Sequence, residues 1–119
     1  MEYLMLVVVD PTGEPRIESE DRPDLWVKEL EAKGKRVRGD RLRPPEDATL
    51  VRRRKGELLV TTGPFTESAE WVAGYDILEC ESLDEAVELA AKHPMARFGA
   101  IEVRPTWPLD FEAGPPWNS

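Results

Sequence analysis

One cysteine and one histidine stand among these 119 residues. Cys80 alone excludes an internal disulfide and a cysteine metal cluster, and its place in a strand suits a small buried hydrophobe better than a nucleophile. His93 has no histidine or cysteine neighbours with ligand spacing, so no metal and no cofactor are expected. At the end of a helix it reads as a cation facing the helix C-terminus. Glycine-rich phosphate loops, G-x-S-x-G and H-E-x-x-H are absent. No apolar run approaches the ~18 residues of a membrane span. The longest, Leu4–Val9, lacks a basic flank before it and a small-residue cleavage site after it, so the chain reads as cytoplasmic. Aromatics are few, at 8%.

What is present is an ordinary globular composition with an uneven charge. Hydrophobic residues make up 40% and charged residues 34% of the chain, which suits one folded domain. The net charge is −8, yet Lys33 to Lys55 hold ten bases and three acids, a local +7. The rest holds six bases and 21 acids, or −15. A basic stripe on an acidic body attracts an anionic ligand, a nucleic acid or the acidic face of another subunit; otherwise it is a solvated face.

The periodicity predicts two helices and six strands, two of which form a hairpin. Residues 3–9 (YLMLVVV) form a strand buried on both faces, ended by Asp10-Pro11-Thr12-Gly13. A first helix spans about Arg22 to Lys33, capped by Asp21, with Pro23 in its first turn and Gly34 at its end. Lys35–Leu42 is a strand in which Gly39 marks a bulge or a close approach. Ala48–Arg54 and Glu57–Thr61 form a hairpin turning at Lys55-Gly56. Ala73–Cys80 is a strand with Tyr75, Ile77 and Glu79 on one face and Asp76, Leu78 and Cys80 on the other. Ser82 and Glu85 open a second helix as a capping box, and Pro94 stops it. Phe98–Arg104 closes the fold.

Without the hairpin the order is β-α-β-β-α-β, the ferredoxin-like α+β plan, with both helices on one face of an antiparallel sheet. No further helix remains for the other face, so sheet-to-sheet homodimerisation into a barrel-like assembly is expected. The domain is assigned to residues 1–105. The tail, residues 106–119, carries Trp107, Phe111 and Trp117 among prolines and is expected to pack on the domain or on a partner subunit. The same β-α-β-β-α-β plan serves RNA-recognition modules, which stack bases on aromatics of two central strands. Here those strands offer only Tyr3, and the protein is acidic. No nucleic-acid or membrane partner is expected.

Between Leu58 and Trp107, the run VTTGPFTESAEWVAGYDILECESLDEAVELAAKHPMARFGAIEVRP closely resembles the YCII-related superfamily, in the branch with a DGPFAETKE motif. Gly39–Pro44 (GDRLRP) and the opening strand extend the likeness over nearly the whole domain. Gly63, Pro64, Phe65, Glu67, Glu70, Gly74 and Tyr75 stand where that branch has them. Thr62 replaces the acid that opens the motif, and Ser68-Ala69 replaces its T-K pair. The resemblance implies a dimeric α+β barrel-like fold with a cleft near the motif. It implies no single activity: some relatives are suspected enzymes with a histidine–aspartate pair, and some lie in gene neighbourhoods of extracytoplasmic-function sigma factors. The histidine expected near the first helix has no counterpart in DRPDLWVKEL.

Two readings of the GPF loop follow. In the plain one, Gly63-Pro64 is a turn, Phe65 an anchor, and Glu67 and Glu70 solvated charges. In the functional one, Glu67 and Glu70 share a face at i, i+3 beside the Tyr75 hydroxyl, where a close carboxylate pair can raise one pKa for acid–base work. The leading expectation is binding of a small anionic organic molecule in a cleft near that loop, with Arg41, Arg52 and Phe65 as ligand contacts and Glu67, Glu70 and Tyr75 as candidate catalytic groups. A regulatory protein-interaction module using the basic stripe is the alternative. A cofactor-free isomerase or lyase is a further one, because dimeric ferredoxin-like relatives include such enzymes.

Overall fold

The computed structural model describes residues 1–64 and 68–114. Among these residues six strands and three α-helices follow in chain order: β1 (Glu2–Val9), α1 (Pro23–Ala32), β2 (Arg36–Arg41), β3 (Thr49–Arg54), β4 (Glu57–Thr62), β5 (Trp71–Glu79), α2 (Leu83–Ala91), α3 (Met95–Phe98) and β6 (Ala100–Pro105). The main sheet has the order β2-β5-β1-β6, and every pairing in it is antiparallel. With β3 and β4 set aside, that is the ferredoxin-like order. The fold is α+β.

Alternation along the strands divides the sheet into two faces. Tyr3 and Met5 of β1 and Leu78 of β5 are buried with Trp26 and Leu30 of α1 and Ala86, Leu89 and Ala90 of α2. Trp26 fills the space between the helices and donates its Nε1–H to the Leu89 carbonyl at 2.9 Å. The other face of β1 and β5, with Leu4, Leu6, Val8, Tyr75 and Ile77, is only half-buried.

The helix ends follow the sequence with one exception. Gly34 (φ 69°) ends α1. The Lys35 N–H reaches the Leu30 carbonyl at 2.8 Å and the Gly34 N–H reaches that of Glu31 at 3.1 Å. This is the double closure that favours glycine. Ser82 accepts the Glu85 N–H at 3.2 Å, one half of the capping box, while Glu85 Oε1 reaches back to the Glu81 N–H at 3.1 Å in place of that of Ser82. Asp21, the expected cap of α1, instead accepts Arg16 Nε at 2.6 Å, and Arg22 precedes the helix without a side-chain cap. The short α3 was not foreseen. Pro94 ends the α2 segment and at φ −57° opens α3, because a proline suits the start of a helical turn.

The hairpin stands apart. β3 and β4 form their own two-stranded sheet, with Lys55 (φ 52°) and Gly56 (φ 81°) both left-handed at the turn. That is the turn whose twist matches a tight hairpin. Thr106 ties the start of the tail to β1 through the Glu2 carbonyl. Beyond it Trp107, Leu109 and Phe111 are exposed, without cover from the described residues. Trp117 lies outside the described residues, among which no helix is long and apolar enough to cross a membrane.

Candidate functional site

A cleft of about 620 Å³ opens on the helix-bearing side of the sheet, where β2 and β5 meet the N-terminal end of α1 and the segment joining α2 to α3. Two glycines make room for it. Gly39 lies opposite Asp76, and Gly74 opposite Arg41, across the β2–β5 ladder. A Cβ on Gly39 would collide with Asp76 Oδ1 and the Tyr75 carbonyl. The glycine therefore permits a carboxylate to stand where the neighbouring inward positions hold apolar side chains. The close approach expected at Gly39 is present, with a register shift between Arg36 and Arg38.

Asp76 is only 6% exposed. Arg36 holds it, with Nε donating to Oδ1 at 2.7 Å, while Nη1 donates to Glu31 Oε1 at 2.7 Å. Burial pushes the Asp76 carboxyl above its usual range; Arg36 pulls the other way, and Asp40 adds a small further push upward. A buried ion pair of this kind contributes less net stability than its geometry suggests, because both ions lose water.

His93 is the second buried polar group, 7% exposed. Its Nδ1 accepts the Met95 N–H at 3.0 Å, and its ring meets Trp26 edge-on at 4.8 Å. Burial lowers its pKa to about 4, with Asp21 opposing. The imidazole is therefore neutral at neutral pH and carries its proton on Nε2. The expected cation at a helix C-terminus is corrected: desolvation exceeds any gain from the helix dipole.

The charges lining the cleft are mostly matched. Asp21 pairs with Arg16, Asp24 with Arg22, and Asp76 with Arg36. Asp40 accepts the Tyr75 hydroxyl at 3.4 Å. Arg41, alone among the described cations lining the cleft, has no ion pair within the described residues. Cleft and cation thus coincide with a neutral ring that can donate one hydrogen bond.

Next to it, past Leu42, a wider groove of about 1230 Å³ runs between the β2–β3 connection and the motif loop, lined by Thr62, Gly63, Pro64 and Glu70. Its only described glutamates are Glu46 and Glu70. Tyr75 lines the first cleft. Glu70 and Tyr75 are thus in different concavities, while Phe65 and Glu67 lie outside the described residues. Arg52 is on the separate hairpin and lines neither. Elsewhere in the basic stripe, Lys33, Lys35, Arg36 and Arg43 form ion pairs with acids of their own chain.

His93 and Asp76 were not read as site residues. For Asp76 the signal was present: it alternates with Leu78 and Cys80, so a carboxylate on an apolar face required a buried partner. For His93 there was none, since its surroundings come from α1 and from the turn after α2.

A four-stranded ferredoxin-like sheet with a cleft beneath its first helix defines the class: an α+β domain with a concavity on the helix side. Within that class, the chain belongs to the YCII-related domain family, whose profile matches residues 1–110. An uncharacterized protein, R00369, from Rhizobium meliloti (strain 1021) is 40% identical over 67 residues, 55% of this chain. The match spans 54% of that relative's own length. Among solved structures, the chain is similar to 5-chloro-2-hydroxyhydroquinone dehydrochlorinase (TftG) from Burkholderia phenoliruptrix AC1100 in complex with 2,5-dihydroxybenzoquinone. The identity is 19% and the TM-score 0.47, covering 94% of this chain and 98% of the other.

Proposed function

We propose that this YCII-related domain binds a small anionic organic molecule in the cleft between α1 and the β2–β5 ladder. The carrying observation is Arg41, a cation without an ion pair among the described residues, in a cleft where Asp21, Asp24 and Asp76 are paired with arginines and Asp40 accepts the Tyr75 hydroxyl. Its guanidinium presents a planar fork suited to a carboxylate or phenolate oxygen. The neutral His93 ring adds a donor instead of a base, because its Nδ1 lone pair is occupied by the Met95 N–H. At about 620 Å³ the cleft falls in the size range of small-molecule sites, about 300–1,000 Å³.

Thermal-shift screening of small aliphatic and aromatic carboxylates and phenolates tests the reading, since a binder of the native state raises Tm. A hit should lose affinity in Arg41→Gln. A charge-assisted hydrogen bond contributes roughly 1.5–3 kcal/mol, so Kd should rise about tenfold to a hundredfold. No hit among the anions, or a hit that binds Arg41→Gln like the parent, refutes the reading.

A further inference from the structure

Half of the Asp76 carboxylate is left unused by the fold. Arg36 Nε donates to Oδ1 at 2.7 Å, and Oδ2 accepts no hydrogen bond among the described residues. The residue is only 6% exposed, yet no fully occluded side-chain oxygen or nitrogen among those residues lacks a partner. Oδ2 is therefore not sealed in: it is an acceptor open to the cleft that Asp76 lines. His93 is the converse case. The Met95 N–H occupies its Nδ1, so Nε2–H is a donor. That donor has no acceptor among the described residues, on a ring that lines the same cleft. A buried acceptor and a buried donor each cost free energy unless water or a ligand meets them.

The charge around the cleft points to what meets Asp76. Asp21 and Asp24 are each matched by an arginine. Arg36, however, serves two carboxylates, Asp76 and Glu31, and Asp40 has only the Tyr75 hydroxyl. Three carboxylates thus stand against two guanidiniums, Arg36 and Arg41, with one negative charge in excess. A plain carboxylate seated on Arg41 would raise that excess to two while displacing water, and like charges repel more strongly without it. A carboxylate that also carries an ammonium group adds no net charge. The register leaves room for both ends. Arg41 stands opposite Gly74, and Asp76 is two residues further along β5. Such diagonal neighbours on one face lie about 7–8 Å apart, and Gly74 puts no side chain between them.

Resting on the reading of this cleft as a small-anion site, we infer that its ligand is an amino carboxylate. The carboxylate lies on Arg41 and accepts the His93 Nε2–H, while the ammonium group donates to Asp76 Oδ2. Each polar group that the fold leaves open is then met, and the buried carboxylate gains a second cation. A hydroxyl in place of the ammonium group would satisfy Oδ2 but leave the excess charge as it was. Arg41 admits carboxylates in general, and Asp76 selects among them.

Calorimetric titration of the full chain with matched carboxylates tests this. Phenylalanine, hydrocinnamate and phenyllactate share one frame and differ only in bearing an ammonium group, a hydrogen or a hydroxyl. Leucine, isocaproate and hydroxyisocaproate form a second such series. In the series that fits the cleft, the amino member should bind about tenfold more tightly than either analogue, or better. Asp76→Asn should abolish that preference, because its amide can keep the oxygen on Arg36 and turn the NH2 toward the cleft. Arg36 retains Glu31, so the variant leaves no ion unpaired and should keep the parent's circular dichroism. Arg41→Gln should weaken every member by a similar factor. If no carboxylate binds, in these series or in the wider screen, the small-anion reading falls and this inference with it. If carboxylates bind through Arg41 and the amino member has no advantage, this inference alone is overturned. A hydroxy member that binds as tightly overturns it too, as does an amino preference that survives Asp76→Asn. Should that variant misfold, the two series on the parent decide by themselves.

Discussion

His93 makes the stability of the molecule depend on pH in a definite direction. Its folded pKa is about 4 against 6.5 when unfolded. Between those values the unfolded chain holds a proton that the folded one refuses. Stability is therefore fully present above pH 6.5 and falls as pH drops toward 4, by on the order of 3 kcal/mol. Asp76, whose pKa is raised by burial, acts with the opposite sign. It favours the fold at low pH and loses that contribution as pH rises through its folded value. Denaturant titrations of the parent and of His93→Asn separate the two, because only the His93 part of the slope disappears in the variant. An unchanged slope would refute the buried neutral ring. Gly39→Ala is the second residue-scale test. Its methyl would meet the Asp76 carboxylate and the backbone of Tyr75, so a loss of about 1–3 kcal/mol or more is expected in chemical denaturation.

The site was legible in sequence only in part. Arg41 could be named because it lies in the basic stripe and in the GDRLRP run; Asp76 could have been suspected from alternation. That Arg36 holds Asp76 depended on the β2–β5 register, which no local pattern encodes.

Among the elements, those with local chemistry were legible. The cap of α2, the glycine closing α1 and the Lys55-Gly56 turn all act within a few residues, and each stands where its pattern placed it. What could not be read was the hairpin's separation from the main sheet, since alternation reports a strand but not its neighbours. The short α3 was hidden for another reason: a proline ends one helical segment and starts another with equal ease. Lys55 offers a test at this scale. A lysine at φ 52° bears part of the roughly 1–2 kcal/mol that a left-handed conformation costs an ordinary residue. Lys55→Asn should recover on the order of 0.5 kcal/mol, because Asn-Gly is the preferred pair for this turn. Amide hydrogen exchange of β3 and β4 should slow accordingly, and equal or faster exchange would contradict the turn assignment.

At the scale of the molecule, apolar exposure is concentrated in the hairpin and in the tail. Trp107, Leu109 and Phe111 project from their own chain. Deleting residues 107–119 should therefore leave the stability of dilute, monomeric protein within about 0.5 kcal/mol of the parent, as changes at exposed positions usually do. A clear drop in Tm under those conditions would show that the tail packs on its own domain. A drop only at concentrations where copies associate would assign the packing to the partner.

The hairpin also bears on how fast the chain reaches its fold. Every ladder of the main sheet joins distant segments, and β3–β4 is the one local pairing among the described residues. Between Arg41 and Gly74, which close the β2–β5 ladder, 32 residues intervene. Once residues 49–62 are zipped and the Gly63 N–H has found the Ala48 carbonyl, the open path shrinks to 18 residues. Halving a loop lowers its closure entropy by about 0.6 kcal/mol, close to a threefold rate. Hairpins form in microseconds, well before long-range sheets. Gly56→Val, which forbids the turn, should therefore slow refolding about two- to threefold in stopped-flow fluorescence while leaving the unfolding rate nearly unchanged. The hairpin that stands apart in the finished molecule would then be the clasp that draws β2 and β5 together while the molecule is being made.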